Sequence, residues 1–182
     1  MSKNAAHAAM NFSLTHSAAT DALGAALGRA VLAVRAAEPA GAPEGMVLYL
    51  QGELGAGKTS LARALLKAVG VEGTIRSPTY TLLDTYLADG LICIHVDLYR
   101  LQARREIDEL GLRDLTGPDT LLVIEWPERG LEALPRADLT AHIDYDGEGR
   151  QVTLHAGSRS GGAWLHELGQ DASLSPYVSN LT

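Results

Sequence analysis

Eight consecutive residues, Gly52-Glu53-Leu54-Gly55-Ala56-Gly57-Lys58-Thr59, fit the pattern G-x-x-x-x-G-K-[ST] without a mismatch. With 19 Gly, 3 Lys and 22 Ser plus Thr in the chain, random order gives about 0.004 such matches, so a coincidental Gly-rich turn is set aside. A triphosphate needs many donors and a compensating charge in a small space. Glycines let the backbone curl so that successive N–H groups point inward, and a helix that follows adds its positive end. Lys58 can then reach the β- and γ-phosphates, while the Thr59 hydroxyl is placed to ligate Mg²⁺.

A guanine pocket would call for an Asn-Lys-x-Asp element, and Asn4, Asn11 and Asn180 begin none, so ATP is favoured over GTP. Ser160-Gly161-Gly162 faintly resembles the signature of ABC ATPases but lacks its flanking residues, and reads as a solvated turn. A magnesium-triphosphate site also wants a carboxylate at the end of a neighbouring buried strand, which Glu125 supplies after Leu121-Leu122-Val123-Ile124. A second acid, Asp97, closes the apolar run Leu91–Val96. Two acids at two strand ends permit one to serve the metal and the other to orient water. His95 lies two residues before Asp97, on the same strand face, as a catalytic or a structural histidine. Arg100 can stabilise γ-phosphate charge or pair with an acid. Trp126 either packs near the nucleotide or belongs to the core. Ser77-Pro78-Thr79-Tyr80 is placed to sense the γ-phosphate, with a plain strand-entry turn as the alternative.

These groups need a scaffold. Met46–Leu50 and Thr120–Ile124 are short apolar runs bounded by turn residues, which predicts buried parallel strands. Helices are predicted from Ser17 or Thr20 to about Ala37, from Lys58 to a stop at Gly70, and over Arg104–Leu110. Asp89-Gly90 predicts a hairpin between strands Tyr80–Tyr86 and Leu91–Val96. A second hairpin, Asp138–Tyr145 with Arg150–His155, turns at Asp146–Gly149. Glu38–Pro43 reads as a breaker-rich loop, a short helix is expected around Ala163–Leu168, and a Ser-rich tail is left without structure. The fold class is α/β, one sheet with an added antiparallel edge.

Composition agrees. One domain is the expectation for 182 residues, of which 46% are hydrophobic and 20% charged, so wholesale disorder is excluded. The net charge of −7 argues against a broad basic nucleic-acid face. Cys93, the single cysteine, makes no internal disulfide or zinc cluster and sits in an apolar run as a small hydrophobe. The first residues lack an apolar signal region and no window approaches 18 uninterrupted apolar residues, so a cytoplasmic protein without a membrane span is expected.

Taken together, Gly52–Thr59, Ser77-Pro78-Thr79-Tyr80, His95-Val96-Asp97-Leu98-Tyr99-Arg100, Glu109–Asp114 and Glu125-Trp126-Pro127 resemble the TsaE (YjeE) family over about Ser13 to His155. The ordered combination is far more specific than the phosphate loop alone. The resemblance implies a three-layer, P-loop NTPase-like, mostly parallel sheet with an antiparallel edge hairpin, working in threonylcarbamoyl modification of tRNA adenosine. It implies an ATPase with cofactors ATP and Mg²⁺, metal held by Thr59 and Glu125, and hydrolysis dependent on Asp97. On this chain the nucleotide set is Gly52, Gly55, Ala56, Gly57, Lys58, Thr59 and Ser60, with Thr15 near the adenine. The implied partner is the TsaB–TsaD complex, with tRNA reached only indirectly and neither DNA nor membrane involved. Ser60 stands where many relatives have a second threonine, and Arg104-Arg105 where relatives often have an acid. The division expected is a flexible leader over 1–11, a single P-loop ATPase domain over 12–156, and a short helix with a flexible tail over 157–182. The rival readings are a small-molecule kinase with Asp97 as base, for which Arg104–Arg113 is too short a lid, and a non-hydrolysing nucleotide-switched adaptor.

Overall fold

The computed structural model describes residues 8–37, 45–101 and 104–179. Among them the chain order is β1 (Ala9–Leu14), α1 (Ser17–Ala37), β2 (Met46–Gly52), α2 (Lys58–Ala68), β3 (Leu83–Ala88), β4 (Leu91–Asp97), α3 (Arg104–Glu109), β5 (Thr120–Glu125), β6 (Leu139–Asp146), β7 (Gly149–Ala156) and α4 (Arg159–Gly169). One mixed seven-stranded sheet runs β1-β7-β6-β2-β5-β4-β3. Its centre, β6-β2-β5-β4, is parallel, while β7 with β1 on one side and β3 on the other are antiparallel margins.

β2 and β5 are apolar on both faces because both are covered. Met46, Leu48, Leu50, Leu121 and Val123 pack with α1, α2 and α4; Val47, Tyr49, Leu122 and Ile124 pack with Ile107 and Leu112 on the opposite side. Three layers result. α1 is the one described helix long and apolar enough to cross a bilayer by length and composition, but its apolar stripe is buried in this core. Gly24 and Gly28 let it lie directly on α2: a Cβ at Gly24 would stand 2.5 Å from the Leu61 carbonyl oxygen.

Several expectations change. The leader was expected to run through residue 11, yet Ala9–Asn11 belong to β1, whose Phe12 and Leu14 bury against β7. The strand expected from Tyr80 begins at Leu83, because Leu82 takes φ +66° and its N–H turns back to the Pro78 carbonyl at 2.6 Å. The turn expected at Ser160-Gly161-Gly162 is helix: Ser158 caps the Gly161 N–H at 3.0 Å, and a Cβ on Gly161 would fall 1.8 Å from the Asp138 carbonyl oxygen. Glycine there serves close packing, which overrides its poor helix propensity. Residues beyond α4, expected to be a flexible tail, bury Leu174 and bridge Val178 to Phe12. The breaker-rich loop at Glu38–Pro43 lies outside the described residues.

Strands β2, β4 and β5 end along one edge of the sheet, with Asp97 in register with Glu125 and Leu50 with Glu125. A parallel sheet offers its ligand crevice at this edge.

Candidate functional site

Along the α2 side of β4, Leu91 and Cys93 are core; burial pushes the Cys93 thiol pKa up to about 11, which leaves it an inert hydrophobe. Two residues on, the same face turns polar with His95 and Asp97. β5 does likewise, passing from Leu121 and Val123 to Glu125. Three polar side chains thus collect under the Gly52–Thr59 bend, all nearly sealed from water. Such burial is costly unless each group is paired.

Each is paired. The Thr59 hydroxyl donates to Glu125 Oε2 at 2.9 Å, and His95 Nε2 meets Glu125 Oε1 at 2.8 Å. Because a carboxylate only accepts, the proton of the second contact sits on Nε2, which fixes the imidazole tautomer. His95 Nδ1 is then a buried acceptor with no hydrogen-bond partner among the described groups. Asp97 is held by three donors: Ser77 Oγ at 2.8 Å and Thr79 Oγ1 at 2.6 Å to Oδ2, and the Tyr99 N–H at 3.0 Å to Oδ1. The aliphatic hydroxyls of the Ser77–Tyr80 segment, on Ser77 and Thr79, therefore both meet Asp97. Tyr80 itself is exposed, and the Arg100 guanidinium lies over its ring at 4.0 Å.

Lys58, at the first turn of α2, is 4% exposed and donates to the carbonyls of Gly52 at 2.6 Å and Glu53 at 2.8 Å. Its ammonium sits 3.8 Å above the Trp126 ring. Burial pushes its pKa below the ordinary lysine value, and the charges of Glu125, Glu128 and Asp97 pull it part of the way back. Trp126 takes φ +59°, a left-handed conformation a bulky residue rarely adopts, and its half-buried ring meets Tyr99 at a centroid distance of 5.0 Å with the planes tilted by 46°. It is both a core contact and a wall of the site.

The glycine-rich loop is shaped from a distance. The Tyr145 hydroxyl donates to the Leu54 carbonyl at 2.8 Å and Arg150 Nε to the Ala56 carbonyl at 2.9 Å, both from the β6–β7 hairpin. In a trans peptide the N–H lies opposite the C=O, so these anchors turn the amides of Gly55 and Gly57 away from the hairpin. Positive φ values at Gly52 (+139°), Gly55 (+78°) and Gly57 (+110°) make the curl feasible only without side chains.

Two contiguous clefts result. One, of about 340 Å³, is bounded by Lys58, Thr59, Ser77, Asp97, Glu125 and Trp126, with Ser60, Gly55 and Gly57 on its rim. The other, of about 230 Å³, shares Gly55, Gly57 and Ser60 and is walled by His16, Thr20 and Arg150. Thr15 is exposed, next to this second cleft through its neighbours Leu14 and His16 but not among its walls. Sequence reasoning did not select Tyr99, His16, Tyr145 or Arg150. Tyr99 stood inside a quoted motif, whereas the others act through long-range hairpin or turn contacts with no local signature.

The Thr59–Glu125 pair offers a hydroxyl and a carboxylate oxygen, hard donors of the kind Mg²⁺ takes alongside water and phosphate oxygens. Among the described residues no cluster of three His, Cys, Asp or Glu forms a metal cage, so a cation here would draw few ligands from the protein.

A family model for "Threonylcarbamoyl adenosine biosynthesis protein TsaE" matches residues 14–152. Among curated relatives, the tRNA threonylcarbamoyladenosine biosynthesis protein TsaE of Haemophilus influenzae is 42% identical over 116 residues, covering 64% of this chain and 73% of that protein. The protein of the same name from Treponema pallidum is 36% identical over 112 residues, or 61% and 82% of the two chains. The crystal structure of Bacillus subtilis YdiB aligns over 92% of this chain and 98% of that one with a TM-score of 0.68 at 24% identity, a likeness of fold.

Proposed function

This chain belongs to the TsaE family, and we propose that it binds and hydrolyses ATP with Mg²⁺ in support of threonylcarbamoyladenosine formation on tRNA, working on a TsaB–TsaD pair. One observation carries the reading: Lys58, Thr59, Glu125 and Asp97 converge on a single cleft beneath a glycine loop whose carbonyls are tied back. Lys58 supplies the positive charge facing the phosphates. Thr59 and Glu125 would hold Mg²⁺, which when bound screens phosphate charge and polarises the terminal phosphoryl group. His95 keeps Glu125 turned toward Thr59. Asp97, pinned by Ser77 and Thr79, orients the attacking water. The protein's acidity, −7 overall, suits a switch that acts on an enzyme holding the tRNA rather than on the tRNA itself.

The test is release of inorganic phosphate from ATP by the pure protein, with and without TsaB–TsaD. Slow release alone and strong stimulation by the pair is the expected result. Bound ATP with no release even in the presence of the pair would leave a nucleotide-switched adaptor. Label moved from ATP to a metabolite would make the protein a kinase.

Glu125→Gln keeps the shape of the side chain and its bond with Thr59 but removes the charge a divalent cation needs. ATP affinity measured with Mg²⁺ should fall about tenfold or more, while affinity in EDTA changes little, as expected when one charged ligand is neutralised. Equal losses in the two conditions would remove Glu125 from the metal site.

A further inference from the structure

We propose that the C-terminal segment Asp171–Ser179 is a clasp that sets His16 in the second cleft, with Tyr177 as the positioning residue. The inference rests on that cleft being the nucleoside end of the ATP site proposed above.

The segment lies beyond residues 14–152, the stretch matched by the family model. It is tied down at both ends. Asp171 receives two hydrogen bonds from Arg29 of α1, at 2.9 and 2.7 Å, and Leu174 behind it is buried. Further on, the Ser13 N–H donates to the Tyr177 carbonyl at 2.8 Å and the Ser179 N–H to the Asn11 carbonyl at 2.9 Å, while Gln151 Nε2 donates to Ser179 Oγ at 2.9 Å. Residues 177–179 thereby follow the outer edge of β1, otherwise the last strand of the sheet. β1 ends two residues before His16 and α1 begins directly after it, so the segment grips both elements that flank this turn.

His16 itself is held on two sides. Its Nδ1 accepts the Ala19 N–H at 3.1 Å, which closes the first turn of α1 and leaves the ring's proton on Nε2. The Tyr177 and His16 rings meet in a T, at a centroid distance of 6.2 Å and an angle of 85°. Edge-to-face pairs of this kind contribute modestly but directionally. With Nδ1 occupied and the ring braced by Tyr177, His16 offers an N–H donor and aromatic surface to whatever enters the cleft it shares with Arg150. An aromatic heterocycle joined to phosphates lying under Gly55 and Gly57 fits that offer; a bare polyphosphate would not use it.

The experiment compares the affinities of the full chain for ATP and for inorganic tripolyphosphate, both with Mg²⁺, in the wild type and in Tyr177→Phe, Tyr177→Leu and Tyr177→Gln variants, with melting temperatures recorded. Tyr177→Leu and Tyr177→Gln should bind ATP about three- to tenfold more weakly and tripolyphosphate as before, while Tyr177→Phe, which keeps the ring, behaves as wild type. Combined with His16→Ala, the Tyr177→Leu change should add no further loss. Wild-type ATP affinity in both ringless variants would overturn the clasp alone. So would equal losses for ATP and tripolyphosphate, which signify general loosening. If the wild type binds neither compound, the ATP reading falls and the clasp's role falls with it.

Discussion

Replacing Lys58 with alanine should weaken ATP binding about 10²- to 10⁴-fold in a chain that still folds. The size follows from what the ammonium does. Hydrogen bonds to a charged group contribute about 1.5–3 kcal/mol each, and a phosphate-loop lysine addresses two phosphates. Among the described residues no other lysine lines the cleft, so the lost charge has no local substitute there. In the free protein the ammonium donates to the Gly52 and Glu53 carbonyls and faces Trp126, which keeps it at the mouth of the loop rather than extended into solvent. Calorimetric titration with ATP reads the effect, and a melting curve shows whether the two abandoned carbonyls have cost the fold. Unchanged affinity would mean that phosphates do not lie under this loop. pH gives a second handle. Burial lowers the Lys58 pKa from its ordinary 10.5, so its ammonium form is lost at a lower pH than an exposed lysine would require. Phosphate binding favours that form. ATP affinity should therefore fall as pH rises through the lowered value, and Lys58→Ala should flatten that part of the profile.

The residues of the candidate site were legible because each lies in a local pattern. A phosphate loop is eight neighbouring residues with glycines where φ must be positive, and an acid after an apolar run marks a strand end whatever the strand pairs with. The parts that were missed depend on distant partners. β1 looks like the end of an alanine-rich leader until β7, well over a hundred residues later, pairs with it. The Gly161-Gly162 pair argues for a turn by propensity, whereas Ser158 caps a helix there and the Asp138 carbonyl leaves no room for a Cβ at residue 161. Arg150 reads as a surface charge at a hairpin, yet it props the glycine-rich loop through the Ala56 carbonyl. The left-handed Trp126 that covers Lys58 has no sequence signal, because tryptophan does not favour that conformation.

An Asp97→Asn protein should keep ATP affinity within about threefold of wild type and lose about 10²- to 10⁴-fold in turnover, the range expected when a positioned proton acceptor is removed. Asparagine fits the same space, and the Ser77 and Thr79 hydroxyls can rotate to meet its amide, so the segment that carries them stays in place. What changes is basicity. In the wild type three donors converge on one carboxylate and leave it no freedom to turn. Its strand neighbour Glu125 already holds Thr59 and His95. The two acids are thus built into different networks, Glu125 toward the helix bearing Lys58 and Asp97 toward the Ser77–Tyr80 segment, which is the division of labour a metal ligand and a water-orienting base require. Single-turnover phosphate release beside equilibrium ATP binding separates the two roles. If Asp97→Asn loses binding as steeply as turnover, Asp97 holds the nucleotide or its metal and the base must be sought elsewhere. If it turns over normally, Asp97 serves only to pin Ser77 and Thr79. Ser77→Ala with Thr79→Ala should keep ATP affinity and lose less turnover than Asp97→Asn, since a freed but intact carboxylate retains the proton chemistry and loses only its aim.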